Sequence, residues 1–355
     1  ASDFFRTPPP NNPLVVETIA FSTFDLILAP LVSNQPSNIT NLFISADGLL
    51  TSLPFSALCT SLPKDNNYKS WPFLIKEFNI SYLPYVSYLK QYKGQTLDFK
   101  HLACFAPLYN PLPNQQIAQQ SLPQDLVRSE YYQLPGAQAE VKQINSLFPQ
   151  SKLFAGKAFP KEAFIKQAPK YDLLHLAMHA VTNYQNPIES KLIFSSNSGQ
   201  VSVLSMEALL DLNLKTQHIV LSACYTGVGN YEEGEGQISI AYAFQQLDIP
   251  TIISNSWAAP DQSASRINTG YYQGLKRGEP APLALKNAQI AYLETDGPVL
   301  MGHPYYWAGI QIQGDTSTSF KATSRWSWLI ILGIIGLGLF YYLLRRSNKS
   351  EALLA

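Results

Sequence analysis

Two short runs with almost no polar residue, at 171–178 and 219–223, constrain the fold of this chain more than any other feature. Strands of that kind belong in sheets covered on both faces, because an exposed face would show as polar alternation. Each run stops abruptly. The first ends at His179. The second, Ile219-Val220-Leu221-Ser222-Ala223, meets Cys224 and passes into Tyr225-Thr226-Gly227 and the glycine-rich stretch Glu232-Glu233-Gly234-Glu235-Gly236. Helix signals lie around these runs: Ala137, Val141, Ile144, Leu147 and Phe148 recur at helical spacing, and a helix over 161–168 has Pro160 at its start. Further helices are predicted over 203–212, 238–247, 261–275 (capped by Asp261) and 281–293, with strands at 191–194, 251–254 and 305–312. Alternation of this type predicts a three-layer α/β sandwich around a mostly parallel sheet.

Upstream, a strand at 41–45, the turn Ala46-Asp47-Gly48 and a second strand at 49–55 read as a hairpin that Pro54 ends. Strands follow at 78–83 and 101–106. The stretch 24–31 is apolar without a clear period, and residues 108–127 are polar and read as a surface loop. Residues 1–24 read as a linker, since Pro8-Pro9-Pro10 and Asn11-Asn12 break any periodicity. The first residue is Ala1, which suits a chain processed or excised from a longer one.

Twenty-five basic and twenty-five acidic residues leave no net charge and no basic cluster, which argues against nucleic-acid binding through a basic surface. Cys59, Cys104 and Cys224 form no even framework and no C-x-x-C pair, so a disulfide scaffold or zinc module is not expected, although a single Cys59–Cys104 bridge is compatible with the sequence.

After a polar linker at 316–325, residues 326–344 are nineteen in a row without a charge. At about 1.5 Å per residue they span roughly 28 Å, the thickness of a bilayer core. Trp326 and Trp328 flank one end and Tyr341 and Tyr342 the other, as aromatic belts do. A transmembrane helix is therefore expected here, followed by a short tail at 345–355. Arg345, Arg346 and Lys349 beyond it outweigh Lys321 and Arg325 before it, a weak bias toward a globular part outside the cytoplasm, whereas insertion by the tail without an upstream signal would keep that part cytoplasmic.

A cysteine at a strand end is by itself most often a small buried hydrophobe. Here it has a partner. His179 and Cys224 both fall at the carboxyl ends of predicted parallel strands, where open α/β sheets place their ligands. They are 45 residues apart, room for a crossover that makes the two strands neighbours. A thiol near neutral pH is mostly protonated and needs a base, which His179 supplies. Backbone amides at Ala180 and Cys224 are the candidate oxyanion hole. His175, four residues before His179, invites a metal reading, but its apolar run lacks the glutamate of the zinc-protease helix, and a hydrogen-bonded core histidine is expected instead. No metal or other cofactor is expected. The acidic cluster Glu232, Glu233 and Glu235 reads either as a solvated loop or as a pocket wall; on the second reading Glu235, Asp261 and Trp257 are the candidate pocket residues, with the acids selecting a basic side chain.

The residues around this pair carry a resemblance. Leu174-His175-Leu176-Ala177-Met178-His179, Pro187 with Ser190-Lys191-Leu192, Val220-Leu221-Ser222-Ala223-Cys224-Tyr225-Thr226-Gly227 and Gly234-Glu235-Gly236 follow in order. Ser254-Asn255-Ser256-Trp257 and His303-Pro304-Tyr305-Tyr306-Trp307-Ala308-Gly309 come downstream, with Leu53-Pro54-Phe55-Ser56-Ala57-Leu58 and Leu134-Pro135-Gly136-Ala137 upstream. Over residues 25–315 the chain resembles the CHAT domain, a caspase-like (clan CD) cysteine peptidase family related to separase. The resemblance implies a caspase-like fold in which His179 and Cys224 form a catalytic dyad. It departs at Ala180, where the family usually has glycine, and alanine resists positive φ. Family members often carry TPR repeats before this domain, which implies an upstream sensor region in the same polypeptide. The expectation is a bacterial, membrane-anchored cysteine endopeptidase that cuts a protein partner. The other reading is an inactive caspase-like scaffold anchored to the membrane.

Overall fold

The computed structural model describes residues 2–9, 14–32, 38–90, 96–109, 134–156, 158–195, 201–223, 225–232, 236–314 and 319–320. Its centre is an eight-stranded sheet built from β1 (Asn41–Ile44), β2 (Asn79–Tyr82), β4 (Leu102–Ala106), β5 (Lys152–Ala155), β6 (Leu173–Ala177), β10 (His218–Ser222), β13 (Thr251–Asn255) and β14 (Ile310–Gly314). The order across it is β1-β2-β14-β13-β10-β6-β4-β5, parallel at every pairing except β13 with β14. β4, β6 and β13 are buried at every residue and β10 at all but its last, as their unbroken apolar character predicts for a sheet covered on both sides.

Helices supply the two outer layers. α4 (Pro135–Leu147), α8 (Asp261–Lys276) and α9 (Ala281–Glu294) bury Val141, Ile144, Ile267, Leu275 and Leu285 in one core, which also takes in Val220 and Ile253 from the sheet. On the other face α5 (Lys161–Gln167), α6 (Met206–Leu210) and α7 (Ile240–Gln246) pack Phe164, Leu209 and Phe244 against Leu174, Leu176, Ile219 and Ile252. Successive residues of each strand thus serve opposite cores, the strand period of two at work. The mixed α/β, three-layer expectation holds.

Several local expectations do not. Residues 1–24 are not a linker: α1 (Ser2–Arg6) and α2 (Leu14–Ile27) send Phe5, Val16, Ala20 and Phe24 into the first core. Burying each of the larger of these is worth about 1.5–3 kcal/mol, enough to order a segment whose sequence shows no clear period. A short α3 (Ala29–Val32) completes the apolar stretch at 24–31. The hairpin at 41–55 does not form. β1 pairs in parallel with β2, and Gly48–Ser52 and Phe55–Ala57 are 3₁₀ turns, the first capped by the Asp47 carboxylate on the Gly48 amide. Residues 203–212 divide between β9 (Val201–Ser205) and α6, because Ser205 caps the helix by accepting from the Ala208 amide. β9 joins β7 (Ala180–Val181) and β8 (Lys191–Ser195) in a separate antiparallel sheet rather than extending the main one. The glycine-rich stretch contributes the hairpin of β11 (Asn230–Glu232) and β12 (Gly236–Ile238).

β15 (Ser319–Phe320) pairs with β3 (Thr96–Leu97), and Phe320 stacks on Phe99. Most of the polar stretch at 108–127 and the apolar run at 326–344 lie outside the described residues. Among the described residues no helix is long and apolar enough to cross a membrane.

Candidate active site

β6 and β10 are neighbours in parallel, with His175 opposite Val220 and Ala177 opposite Ser222. Ala177 and Ser222 are the last residues of their strands, and each precedes a candidate catalytic residue by two positions. His179 is partly buried just beyond the end of β6. Cys224 lies outside the described residues, but the chain on either side of it is held. Ala223 is buried before it, and after it the Tyr225 carbonyl accepts from Thr182 Oγ1 at 3.0 Å, tying this segment to the one that follows His179. Tyr225 takes a φ of 54°, the left-handed region that non-glycine residues seldom adopt. Thr226 then locks the turn: its hydroxyl donates to the Ala223 carbonyl at 3.2 Å and accepts from the Asn255 amide at 3.1 Å. Gly227 follows because its amide meets the Asn255 carbonyl at 2.9 Å and any Cβ there would stand 2.5 Å from Ser254 Oγ.

His179 is fixed through a residue that sequence reasoning missed. Tyr109 is buried, accepts from the His179 amide at 3.1 Å and donates to the Ile193 carbonyl at 2.7 Å. Its ring lies 4.9 Å from the imidazole. The His179 carbonyl accepts from the Ile193 amide at 2.9 Å, and Ala180 stands opposite Leu192. That combination makes Ala180 a non-hydrogen-bonded position of the β7–β8 ladder, so its own N–H points away from β8. Ala180 is extended: among the described residues the non-glycine positions with positive φ are Tyr225 and Asp248. Alanine therefore fits where glycine was expected. The turn after it closes on Ser190, whose buried hydroxyl accepts from the Asn183 amide at 3.0 Å.

Beneath the strand ends lies a buried polar network that sequence reasoning also missed, apart from its histidine. Glu140 of α4 accepts from Asn268 Nδ2 of α8 at 2.8 Å and from Ser222 Oγ at 3.1 Å, and Asn268 Nδ2 also donates to Ser222 Oγ at 3.1 Å. His175 Nε2 is 2.9 Å from Glu140 Oε1, close in distance although the N–H direction falls off the line of a well-formed hydrogen bond. His175 is thus the core histidine expected, fully buried and edge-on to Tyr272. Among the described residues no three His, Cys, Asp or Glu side chains gather as metal ligands would.

The candidate pocket residues sit elsewhere than expected. Trp257 is only 1% exposed, donates from its indole to the Tyr305 carbonyl at 2.8 Å and packs where a Cβ on Gly309 would approach to 2.7 Å. It offers no surface to a substrate. Asp261 does not cap its own helix, where Pro260 holds the cap position; its carboxylate accepts from the Gly136 amide of α4 at 2.7 Å, and burial raises its pKa. Gly136 must be glycine because a Cβ would meet that carboxylate. Glu232 is exposed and accepts from Asn230, while Glu235 lies outside the described residues. Cys59 and Cys104 are free and buried, so the bridge between them does not form. Burial pushes the Cys59 thiol up to about 12 and raises that of Cys104 further, which leaves both inert as nucleophiles.

The family model of the CHAT domain matches residues 21–315. The chain belongs to the CHAT-domain family. Several CHAT motifs turn out to serve packing: Gly136 receives Asp261, His303 Nδ1 accepts from the Tyr305 amide at 3.2 Å, and the Trp307 indole donates to the Gly302 carbonyl at 3.0 Å. Among solved structures the CHAT domain is similar to the Arg-specific cysteine proteinase gingipain R (RgpB), at 10% identity and a TM-score of 0.49, covering 89% of this chain and 70% of that one. The complex of the Porphyromonas gingivalis RgpB pro- and mature domains is similar at 10% identity and a TM-score of 0.46, over 89% and 71% of the two chains. The Saccharomyces cerevisiae separase–securin complex is similar at 11% identity and 0.45, over 79% of this chain and 16% of that one. No curated protein matches the chain significantly.

Proposed function

We propose that this CHAT domain is a cysteine endopeptidase with His179 and Cys224 as its dyad. The observation that carries the proposal is the shared register of β6 and β10, which end at the paired residues Ala177 and Ser222, each two residues before a dyad member. His179 takes the thiol proton, the thiolate attacks the scissile carbonyl, and the imidazolium returns the proton to the leaving amine. The Ala180 N–H, directed away from β8, and the Cys224 amide are the donors for the oxyanion, each worth on the order of 10²–10³ in rate. Of the residues expected to select a basic side chain, Trp257 and Asp261 are engaged in packing and capping, so that role falls to Glu235. The substrate is a protein partner. The apolar run at 326–344 anchors the domain to a membrane with the globular part outside the cytoplasm, and a TPR-type region upstream controls it.

Co-expression of candidate partners with wild type, Cys224→Ala and His179→Ala tests the proposal. Cleavage or self-cleavage by wild type alone is expected, with a preference for Arg or Lys before the cut. Equal processing by all three, under a condition that activates the protein, favours the membrane-anchored scaffold.

A further inference from the structure

Three neighbouring strands of the main sheet, β10, β6 and β4, run parallel and end at the same edge of it. β6 and β10 lead to the proposed dyad. β4 leads to Tyr109, three residues beyond its last residue, Ala106. The segment between them is held from α4, where Gln138 Nε2 donates to the Ala106 carbonyl at 2.7 Å and to the Pro107 carbonyl at 3.3 Å. Tyr109 is therefore a buried side chain on a fixed piece of main chain.

Its hydroxyl stands inside a β-ladder. In the β7–β8 pair Ala180 lies opposite Leu192 and Val181 opposite Lys191. One step earlier His179 faces Ile193, and an antiparallel pair at such a step exchanges two backbone bonds. One is made directly, from the Ile193 amide to the His179 carbonyl at 2.9 Å. In place of the other, the His179 amide donates to the Tyr109 hydroxyl at 3.1 Å, and that hydroxyl donates to the Ile193 carbonyl at 2.7 Å. The hydroxyl replaces a rung, and the strand accordingly begins at Ala180 rather than at His179. A direct rung would join nitrogen and oxygen at about 2.9 Å. With an oxygen bridging them instead, where the His179 main chain stands relative to β8 is set by Tyr109.

We propose that Tyr109 is a positioning residue for His179: its hydroxyl fixes the main chain of the histidine, and its ring, 4.9 Å from the imidazole, fixes one side of the side chain. The inference rests on the dyad reading and adds to it the group that sets where the imidazole stands. Without the hydroxyl the rung either closes directly or stays open. In both cases His179 loses its fixed stand-off from β8, and a displacement of about 1 Å is enough to spoil the alignment of a base with its nucleophile. Three adjacent strand ends then share the work, β10 carrying the thiol, β6 the base and β4 the residue that places the base.

The test is the pH profile of Cys224 alkylation by iodoacetamide in the full chain, compared among wild type, Tyr109→Phe, His179→Ala and the double variant. Phenylalanine keeps the buried ring and removes only the hydroxyl, so the fold is retained. Tyr109→Phe should raise the apparent pKa of the thiol by about one unit, which lowers alkylation at neutral pH roughly tenfold. In the His179→Ala background the same change should add nothing, because its effect passes through the imidazole. A hydroxyl that serves packing alone would leave the Tyr109→Phe profile on that of wild type. That result, or an equal shift in both backgrounds, would overturn the positioning role while His179→Ala, still displaced from wild type, keeps the dyad. Coincidence of wild type with His179→Ala would remove the dyad itself, and the positioning role with it.

Discussion

The two faces of the central sheet solve the same problem in opposite ways. Both carry polar side chains into the interior near the sheet's centre. On the α4–α8 face these are ionisable: Glu140 and His175 are at most 1% exposed, and Glu140 is hydrogen-bonded to Ser222 and Asn268, which ties three elements together. On the α7 face they are neutral: Gln245, Gln313 and Ser254 form an open chain of amides and a hydroxyl. A buried carboxylate must be met by several donors, and meeting them ties helices to strands. Neutral amides need no such convergence, and a cavity lined in part by Gln245, Gln311 and Gln313 opens beside them. The tied face is the one that carries Ser222 and His175, on the strands that lead to Cys224 and His179.

The contrast predicts unequal responses to mutation. Glu140→Ala orphans donors on Asn268 and Ser222 and the His175 contact at once; unfolding by denaturant should show a loss of about 3–5 kcal/mol. A loss below about 1 kcal/mol would mean the two faces are equivalent.

Acid should strike the same face. His218 sits there, fully buried, with Nε2 on the Tyr271 hydroxyl at 3.0 Å, and burial, aided by His175, lowers its pKa to about 3. A histidine depressed in the folded state takes up protons on unfolding between its folded pKa and about 6.5, so its contribution is full above that window and is lost as pH falls through it. Denaturation of wild type against His218→Phe should show wild type losing about 3 kcal/mol more between pH 7 and pH 4.5. Parallel profiles would remove His218 from the account.

A smaller effect is expected at the edge of the site. Tyr109→Phe leaves the His179 amide and the Ile193 carbonyl without the bridging hydroxyl, a cost of about 1–3 kcal/mol. The smallest is on the neutral face, where Gln245→Leu should change stability by no more than about 1 kcal/mol, since Gln245 is only partly buried.

Much of the architecture was legible because the buried strands are short apolar runs whose ends are marked by His179 and Cys224. The amphipathic period of α4 was equally plain. What failed, failed for physical reasons. Asp47-Gly48 reads as a hairpin turn, but Asp47 spends its carboxylate capping a 3₁₀ turn, and β1 finds a parallel partner 38 residues on. α2 has no clean stripe, and only tertiary packing of Val16, Ala20 and Phe24 reveals its face. Glu140 and Asn268 are single polar residues in separate helices, 128 positions apart, and nothing local announces that they meet. Asp261 and Trp257 were drawn into the pocket by their residue types; the amide of Gly136 and the close approach of Gly309 explain them instead.

The central claim is that the strand ends bring His179 to Cys224, and it can be measured without a substrate. The pH dependence of iodoacetamide alkylation at Cys224, followed by mass spectrometry, reads its thiolate directly, since Cys59 and Cys104 are buried with raised pKa values. The account predicts an apparent pKa in wild type below the roughly 8.5 of a free thiol, rising to that value or above in His179→Ala. The same profile in both proteins would show that the imidazole does not act on the thiol, and would contradict the dyad.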